Sequence, residues 1–173
     1  ANIDSASVII TLNEDAFFTV SHGASDMGQG SDTVMSQIAA DMLEVDMQQI
    51  IINNSDLDSL PYDPGAYASS GAYVTGNATL RAAEMMKKEL LQAAAKELEE
   101  DVDSVSYASG NFTTSTGKSL SLSDLAKAHC SFSGQDQLIA KGTFGGDTSP
   151  PPFIAGFAEV EVDLETGQCE VLN

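Results

Sequence analysis

Apolar and polar residues alternate in the first part of the chain, and this pattern predicts a β-hairpin followed by a helix. Residues 5–12 and 16–22 each alternate and are rich in strand-forming side chains, and the polar stretch 13–15 separates the two runs. Such an arrangement is typical of two antiparallel strands joined by a tight turn. From residue 31 to residue 43 the apolar side chains recur every three or four positions, which predicts an amphipathic helix that begins directly after Gly30.

The rest of the chain contains both kinds of pattern. Residues 50–52 are three consecutive isoleucines and predict a short buried strand, and apolar positions at helical spacing predict a long helix over residues 71–100. Further on, the predicted elements are a second hairpin over residues 105–113, a short helix over 121–128, a strand over 153–162 and its return strand over 169–172. Together they predict an α+β fold in which mixed sheets built from hairpins pack with helices in two small lobes, residues 1–103 and 104–173.

Composition narrows the classes of function. The 173 residues include 26 acidic and 7 basic side chains, which give a formal net charge of −19. A surface this acidic repels nucleic acids and anionic membranes, because binding to them depends on Lys and Arg. No apolar run reaches the ~20 residues of a transmembrane helix and no signal peptide precedes the first strand, so we expect a cytoplasmic protein. The chain starts at Ala1 close to a strand and stops at Asn173 within another, a pattern expected of a fragment of a longer polypeptide.

The first candidate site is the glycine-bearing loop before the helix that begins at residue 31. Met27, Gly28, Gln29 and Gly30 lie at its end. Glycines let backbone N–H groups approach a ligand, the helix start favours an anion, and the Gln29 amide can both donate and accept a hydrogen bond. The alternative is that this stretch is only a turn between a strand and a helix.

A second loop of small residues, Ala68, Ser69, Ser70 and Gly71, leads into the predicted long helix. Its backbone N–H groups and hydroxyls suit a phosphate without any cation, which is the chemistry that a protein with few lysines needs. The alternative is an ordinary helix cap. Two such loops that converge on one extended anionic ligand would form a single binding site, either in a larger enzyme or in a stand-alone acidic module for a phosphate-bearing small ligand.

Four separated segments together resemble the large subunit of the molybdenum hydroxylases, the xanthine dehydrogenase and aldehyde oxidase family. Residues 26–30, Asp-Met-Gly-Gln-Gly, resemble the family's Glu-Met-Gly-Gln-Gly loop. Residues 37–44 are similar to its next helix, residues 62–78 to its second cofactor loop with the following helix, and residues 158–167 to its closing strand and turn. The likeness spans essentially the whole chain, and it implies the first half of a larger, duplicated molybdopterin-binding domain.

The resemblance also implies roles for the two loops. In the family they hold a molybdenum-bearing molybdopterin, either as such or in a cytosine dinucleotide form, and the glutamine of the first loop lies near the metal. The implied reaction is hydroxylation of a heterocycle or an aldehyde with water as the oxygen source. Carried over to this chain, the cofactor-binding roles fall to Met27, Gly28, Gln29, Gly30, Ala68, Ser69, Ser70 and Gly71.

Parts of the family's machinery have no counterpart in this sequence. The family's base lies in a Gly-x-Gly-Glu-Pro segment, and that segment, the iron–sulfur cysteine clusters and the flavin site are missing here. His22, Ser25 and Asp26 do not have the surroundings of a catalytic triad. We therefore expect no catalytic residue and no metal ligand within the chain. It would act with the remainder of its own polypeptide and with iron–sulfur and flavin subunits or domains.

Overall fold

Three sheets and three α-helices make up the part of the chain that the structure describes. The computed structural model describes residues 4–54, 56–67, 69–130, 137–146, 148 and 153–172. The strands are β1 (Ser5–Leu12), β2 (Phe18–His22), β3 (Ile50–Asn53), β4 (Val105–Ala108), β5 (Asn111–Thr114), β6 (Ser119–Ser121), β7 (Ile139–Gly145), β8 (Val160–Val162) and β9 (Cys169–Val171). The helices are α1 (Ser31–Leu43), α2 (Gly76–Leu98) and α3 (Leu122–Cys130), and a π-helical turn, Gly71–Thr75, leads directly into α2.

The largest sheet has four strands in the order β3-β2-β1-β7. β1 and β2 form an antiparallel hairpin, β7 pairs antiparallel with the other side of β1, and β3 runs parallel to β2 at the edge. Every second side chain of β1, from Ala6 to Leu12, is buried in the core, because successive side chains of a strand point to opposite faces. The division into lobes at residue 103 stays a prediction, although β7, from the second predicted lobe, belongs to this sheet.

Helix α2 packs against β7, β1 and α1. Its buried face is built largely from small side chains such as Ala78, Ala82 and Ala94, together with Met86 and Leu90. Small side chains let the main chain of the helix approach the strands closely. Within the described ranges, none of the helices combines the length and the apolar character that a bilayer-spanning segment requires.

The second sheet, β4-β5-β6, contacts the end of α1 and the side of α2. The buried ring of Phe112 packs against the ring of Tyr107 with a centroid distance of 4.7 Å. The Tyr107 hydroxyl donates a hydrogen bond of 2.7 Å to the carbonyl oxygen of Leu43 at the end of α1. Beside it, the Glu44 carboxylate accepts from Lys87 of α2 at 2.5 Å and from the backbone N–H of Ser109 at 3.3 Å.

The structure confirms most of the predicted elements and differs at several points. Both hairpins and the helix over residues 31–43 are present, and α3 begins as predicted, with the Ser121 hydroxyl accepting from the backbone N–H of Asp124 at 3.1 Å. β3 is an edge strand rather than a buried one, with Ile51 44% exposed. The strand predicted over residues 153–162 is wrong for residues 153–159, since only Val160–Val162 pairs, with β9. β6 and β7 were not predicted.

Replacing Tyr107 by phenylalanine is expected to lower the free energy of unfolding by about 1 kcal/mol, the net value of one intramolecular hydrogen bond. Burial raises the pKa of Tyr107 to about 12. Between about pH 10, where an unfolded tyrosine ionises, and about pH 12 the folded protein keeps this proton and loses stability as the pH rises. Urea titrations at about pH 8 and about pH 11 should therefore show a smaller alkaline loss of stability in Tyr107→Phe. If Tyr107→Phe lost as much unfolding free energy between these two pH values as the unaltered protein, the raised pKa of Tyr107 would be contradicted.

Candidate functional site

Two loops meet at one cleft of about 330 Å³. The first loop, residues 23–30, connects β2 to α1, and the second loop, residues 54–70, connects β3 to the π-helical turn before α2. The cleft is lined from the first loop and α1 by Met27, Gln29, Ser31, Val34 and Met35, and from the second loop and the π-helical turn by Ala66, Tyr67, Ser69, Ser70, Gly71 and Ala72. The structure thus brings five of the candidate residues to one place: Met27, Gln29, Ser69, Ser70 and Gly71.

The first loop is held in shape by the carboxylate of Asp26. Its Oδ1 accepts from the backbone N–H groups of Gly28 at 2.9 Å and Gly30 at 3.3 Å, and its Oδ2 accepts from that of Asp32 at 3.3 Å. These bonds, above all the one from Gly28, hold the pKa of Asp26 below its usual range. The Asp26 carboxylate therefore occupies the start of α1, where the sequence predicts an anionic ligand.

Gln29 closes the same loop with both ends of its amide. Its Oε1 accepts from the backbone N–H of Met27 at 2.7 Å, and its Nε2 donates to the carbonyl oxygen of Ser25 at 2.9 Å. Gly28 at φ 100° and Gly30 at φ 78° adopt the left-handed conformation that glycine tolerates best. Gly28 and Gly30 shape the loop without lining the cleft, while Met27 stands at its tip with 71% of its surface exposed.

The second loop is tied to the start of the helix by Asp63. Its Oδ1 accepts from the backbone N–H of Gly65 at 2.9 Å, and its Oδ2 accepts from the Thr75 hydroxyl at 2.6 Å. The Ser70 hydroxyl donates to the carbonyl oxygen of Tyr67 at 2.7 Å and does not cap the helix. The π-helical turn begins at the cleft, and its first backbone N–H groups receive no capping hydrogen bond from the Ser70 side chain. Ala68, also predicted to bind, lies outside the described residues.

The Ser31 hydroxyl is a site feature that the sequence did not reveal. It is buried, and its oxygen has no hydrogen-bond partner among the described residues. Ser31 opens α1 directly after Gly30, and Met35 follows one helical turn later on the same side of the cleft. Ser31 and Met35 are four residues apart and therefore lie on one face of α1. The sequence predicts this shared face but not that it borders the cleft.

Comparisons with known proteins bear on the identity of these loops. The family model described as the molybdopterin cofactor-binding domain matches residues 1–173. The chain is 34% identical over 167 residues to an Escherichia coli K12 protein described as a probable hypoxanthine oxidase, XdhD. The alignment covers 96% of this chain and 18% of that protein. The chain is 31% identical over 169 residues to the xanthine dehydrogenase molybdenum-binding subunit of Escherichia coli O157:H7, with coverage of 94% and 22%.

A solved structure shows the same fold. Quinoline 2-oxidoreductase from Pseudomonas putida 86 superposes with a TM-score of 0.70 at 24% identity, over 97% of this chain and 22% of that chain. The chain spans between 18% and 22% of the length of each of these three proteins. The chain thus corresponds to a portion of much larger proteins.

Proposed function

The chain belongs to the molybdopterin cofactor-binding domain family, and on this premise we propose that its two loops form one wall of the cofactor site in a larger molybdenum hydroxylase. It is a molybdopterin-binding domain of the xanthine dehydrogenase and aldehyde oxidoreductase type. The proposed reaction of the whole enzyme is oxidative hydroxylation of a heterocycle or an aldehyde with water as the oxygen source. The relatives named for hypoxanthine and xanthine support a heterocycle.

The observation that carries the proposal is the convergence of both loops on one cleft without any charged side chain. All the lining residues are apolar or neutral, from Met27 on one side to Ala72 on the other. The nearby carboxylates of Asp26 and Asp63 bond to the backbones of their own loops and are not among the lining residues. Since Ser70 donates its hydroxyl to Tyr67, the donors that remain for phosphate and pterin oxygens include the Ser31 hydroxyl, the second N–H of the Gln29 amide and backbone N–H groups.

The polar groups of the cleft fit this kind of ligand. The buried hydroxyl of Ser31 has no partner among the described residues, and the start of the π-helical turn is not capped by Ser70. At Gly71 no atom of the described residues, apart from its chain neighbours, lies within 4 Å of the position that a Cβ would take, which leaves room for a ligand beside the main chain. When bound, the molybdenum cofactor supplies the redox chemistry, and the protein supplies its position and surroundings.

The residues of this chain divide into those that contact the cofactor and those that shape the loops. We assign contact to Met27, Gln29, Ser69, Ser70 and Gly71 at the cleft, to Ser31 as an added donor, and to Ala68 from the family resemblance alone. Gly28 and Gly30, both in the left-handed conformation, allow the first loop to fold around Asp26 and Gln29.

The remaining parts of the enzyme would come from outside these residues. We propose that the remainder of the polypeptide supplies the catalytic base and the opposite wall of the site. Iron–sulfur and flavin subunits or domains would carry the electrons away, and the assembly would act in the cytoplasm. Relatives named as a molybdenum-binding subunit and as subunit gamma of a dehydrogenase complex support an assembly of several subunits. The cytosine dinucleotide form of the cofactor is proposed because two separate loops suit an extended ligand.

Elemental mass spectrometry tests the proposal. The full-length polypeptide that contains this chain and the 173-residue chain itself are purified from cells fed with molybdate. We expect about one molybdenum atom per full-length polypeptide and almost none on the chain alone, because the wall supplied here is only part of the cofactor's surroundings. Metal on neither sample would contradict the proposal and favour an acidic module that binds a different phosphate-bearing ligand.

Replacing Gln29 by alanine in the full-length polypeptide is expected to reduce molybdenum retention about tenfold, because two loop hydrogen bonds of roughly 1 kcal/mol each are lost. Because both bonds belong to one exposed loop of the folded protein, the free energy of unfolding should fall by at most about 2 kcal/mol. Gln37→Ala, on the exposed face of α1, is the matched control and should retain the metal. Equal metal content in the two variants would remove Gln29 from the site.

A further inference from the structure

A fully buried histidine lies at the base of the two loops. His22 is the last residue of β2, directly before the first loop, and none of its surface is exposed. Neither ring nitrogen has a side-chain hydrogen-bond partner among the described residues, although the main chain of Ala24 lies close enough to favour a proton on the ring. A buried polar ring with so few partners destabilises the fold unless it has another purpose, so its surroundings call for a physical explanation.

Two carboxylates face this ring, one from each side of the cleft. Asp32, in the first turn of α1, places its Oδ1 4.0 Å from His22 Nε2, and the same oxygen accepts from Asn54 Nδ2 at 2.6 Å. Asp63, in the second loop, is held by Gly65 and Thr75. Burial lowers the pKa of His22 below 6.5, and the charges of Asp32 and Asp63 together with the backbone of Ala24 oppose this only in part. The ring is therefore neutral at neutral pH.

We propose, on the basis of the function proposed above, that His22 is a positioning residue that couples both loops of the cleft to proton binding. The neutral ring fills the space between the loops and leaves each carboxylate with its own hydrogen bonds. A proton on the buried ring must be stabilised by the main chain of Ala24, by water or by a carboxylate. The nearest one, Asp32, lies beyond hydrogen-bonding distance at 4.0 Å. A charged ring is more stable where water reaches it, so protonation favours arrangements in which α1 or the second loop has moved and the cleft is looser.

The sign of the pH dependence follows from the lowered pKa. Unfolded or opened chains bind a proton at His22 near pH 6.5, whereas the closed cleft binds it only at lower pH. The closed arrangement is thus fully stable above pH 6.5 and loses stability as the pH falls below that value towards the lowered pKa of the ring. Acid is expected to loosen the first and second loops together.

Hydrogen exchange with mass spectrometry on the full-length polypeptide measures this loosening. Between about pH 7.5 and about pH 5, exchange of residues 23–30 and 61–67 should accelerate about tenfold after correction for the intrinsic pH effect, because each pH unit shifts a one-proton equilibrium tenfold. In His22→Gln, which keeps a polar group where Nε2 lies but cannot be charged, the acceleration should disappear. His129→Gln, the other histidine of the chain, should behave like the unaltered protein. The β4–β5 hairpin serves as an internal reference.

Acceleration that persists in His22→Gln, or is absent from the unaltered protein, would overturn the inference. Should His22→Gln fail to fold, Asp32→Asn decides the matter, since it can keep the bond to Asn54 but removes a charge that favours the proton. The onset near pH 6.5 should stay, because the opened chain sets it, but the acceleration should continue to a pH about one unit lower, and an unchanged lower limit would overturn the inference. Molybdenum content, measured on the same samples, tests the proposed function separately, because exchange at the loops is read with or without metal.

Discussion

Replacing Gly142 by alanine is expected to cost at least about 3 kcal/mol of unfolding free energy, at the upper end of overpacking penalties. A Cβ on this residue of β7 would lie 2.3 Å from the carbonyl oxygen of Ala78 and 2.3 Å from the backbone nitrogen of Ala82. Both atoms belong to the main chain of α2, which cannot rotate away as the end of a side chain can. The helix would have to lift off the sheet, and close packing at the centre of the core would be lost.

Gly145→Ala is the matched control, since it lies on the same strand. The nearest atom to its added Cβ would be the Cβ of Ser5 at 3.7 Å, an ordinary contact. Urea unfolding followed by circular dichroism, together with the yield of soluble protein, compares the two variants. Equal stabilities would show that α2 and β7 do not approach as closely as the structure indicates.

The same close approach explains why β7 could not be predicted. Two of its inward-facing residues, Ala140 and Gly142, are too small to produce a visible apolar alternation with Phe144, while the apolar Ile139 is 55% exposed. β1 was predictable because its buried positions carry large aliphatic side chains. Hydrophobic patterns reveal a strand when large side chains fill the core, and they fail where a helix backbone fills it instead.

Residues 153–159 show the opposite failure. Their apolar side chains predict a strand, yet Phe153, Ile154 and Phe157 are between 90% and 98% exposed. A strand requires hydrogen bonds to a neighbouring strand, and within the described ranges only the last of these residues, Glu159, accepts one, from the backbone N–H of Leu172 at 2.8 Å. A pattern within one segment cannot reveal whether a partner strand is present.

At the cleft, glycines and helix starts correctly identified where the loops lie, but not how they are held. The loop that contains Gly28 and Gly30 was visible because glycine permits left-handed turns. Asp26 occupies the start of α1, and Gln29 bonds to its own loop. Residue types alone do not predict either contact, because both depend on the positions of the side chains. The coupling of His22 to Asp32 and Asp63 joins residues far apart in the sequence, and it is visible only once the chain has folded.

Replacing Gly23 by alanine is expected to separate the two loops and to lower molybdenum retention in the full-length polypeptide more than tenfold, with a loss of about 1–3 kcal/mol in unfolding free energy. A Cβ at Gly23 would lie 2.7 Å from Asp63 Cβ and 2.9 Å from the carbonyl oxygen of Pro61. These atoms sit close to the main chain of the second loop, so the loop itself must move. Because Asp63 also holds Gly65 and Thr75, its displacement reaches the start of the helix at the cleft.

Gly76→Ala provides the comparison at the start of α2. Its added Cβ would meet only the end of the flexible Ile38 side chain, at 3.1 Å, which can shift by a few tenths of an ångström. We expect this variant to retain molybdenum and to unfold at nearly the same urea concentration as the unaltered protein, since alanine also favours the helix. If Gly23→Ala kept its metal while losing stability, the contact between Gly23 and Asp63 would serve folding alone, and the second loop would reach the cofactor without support from the first.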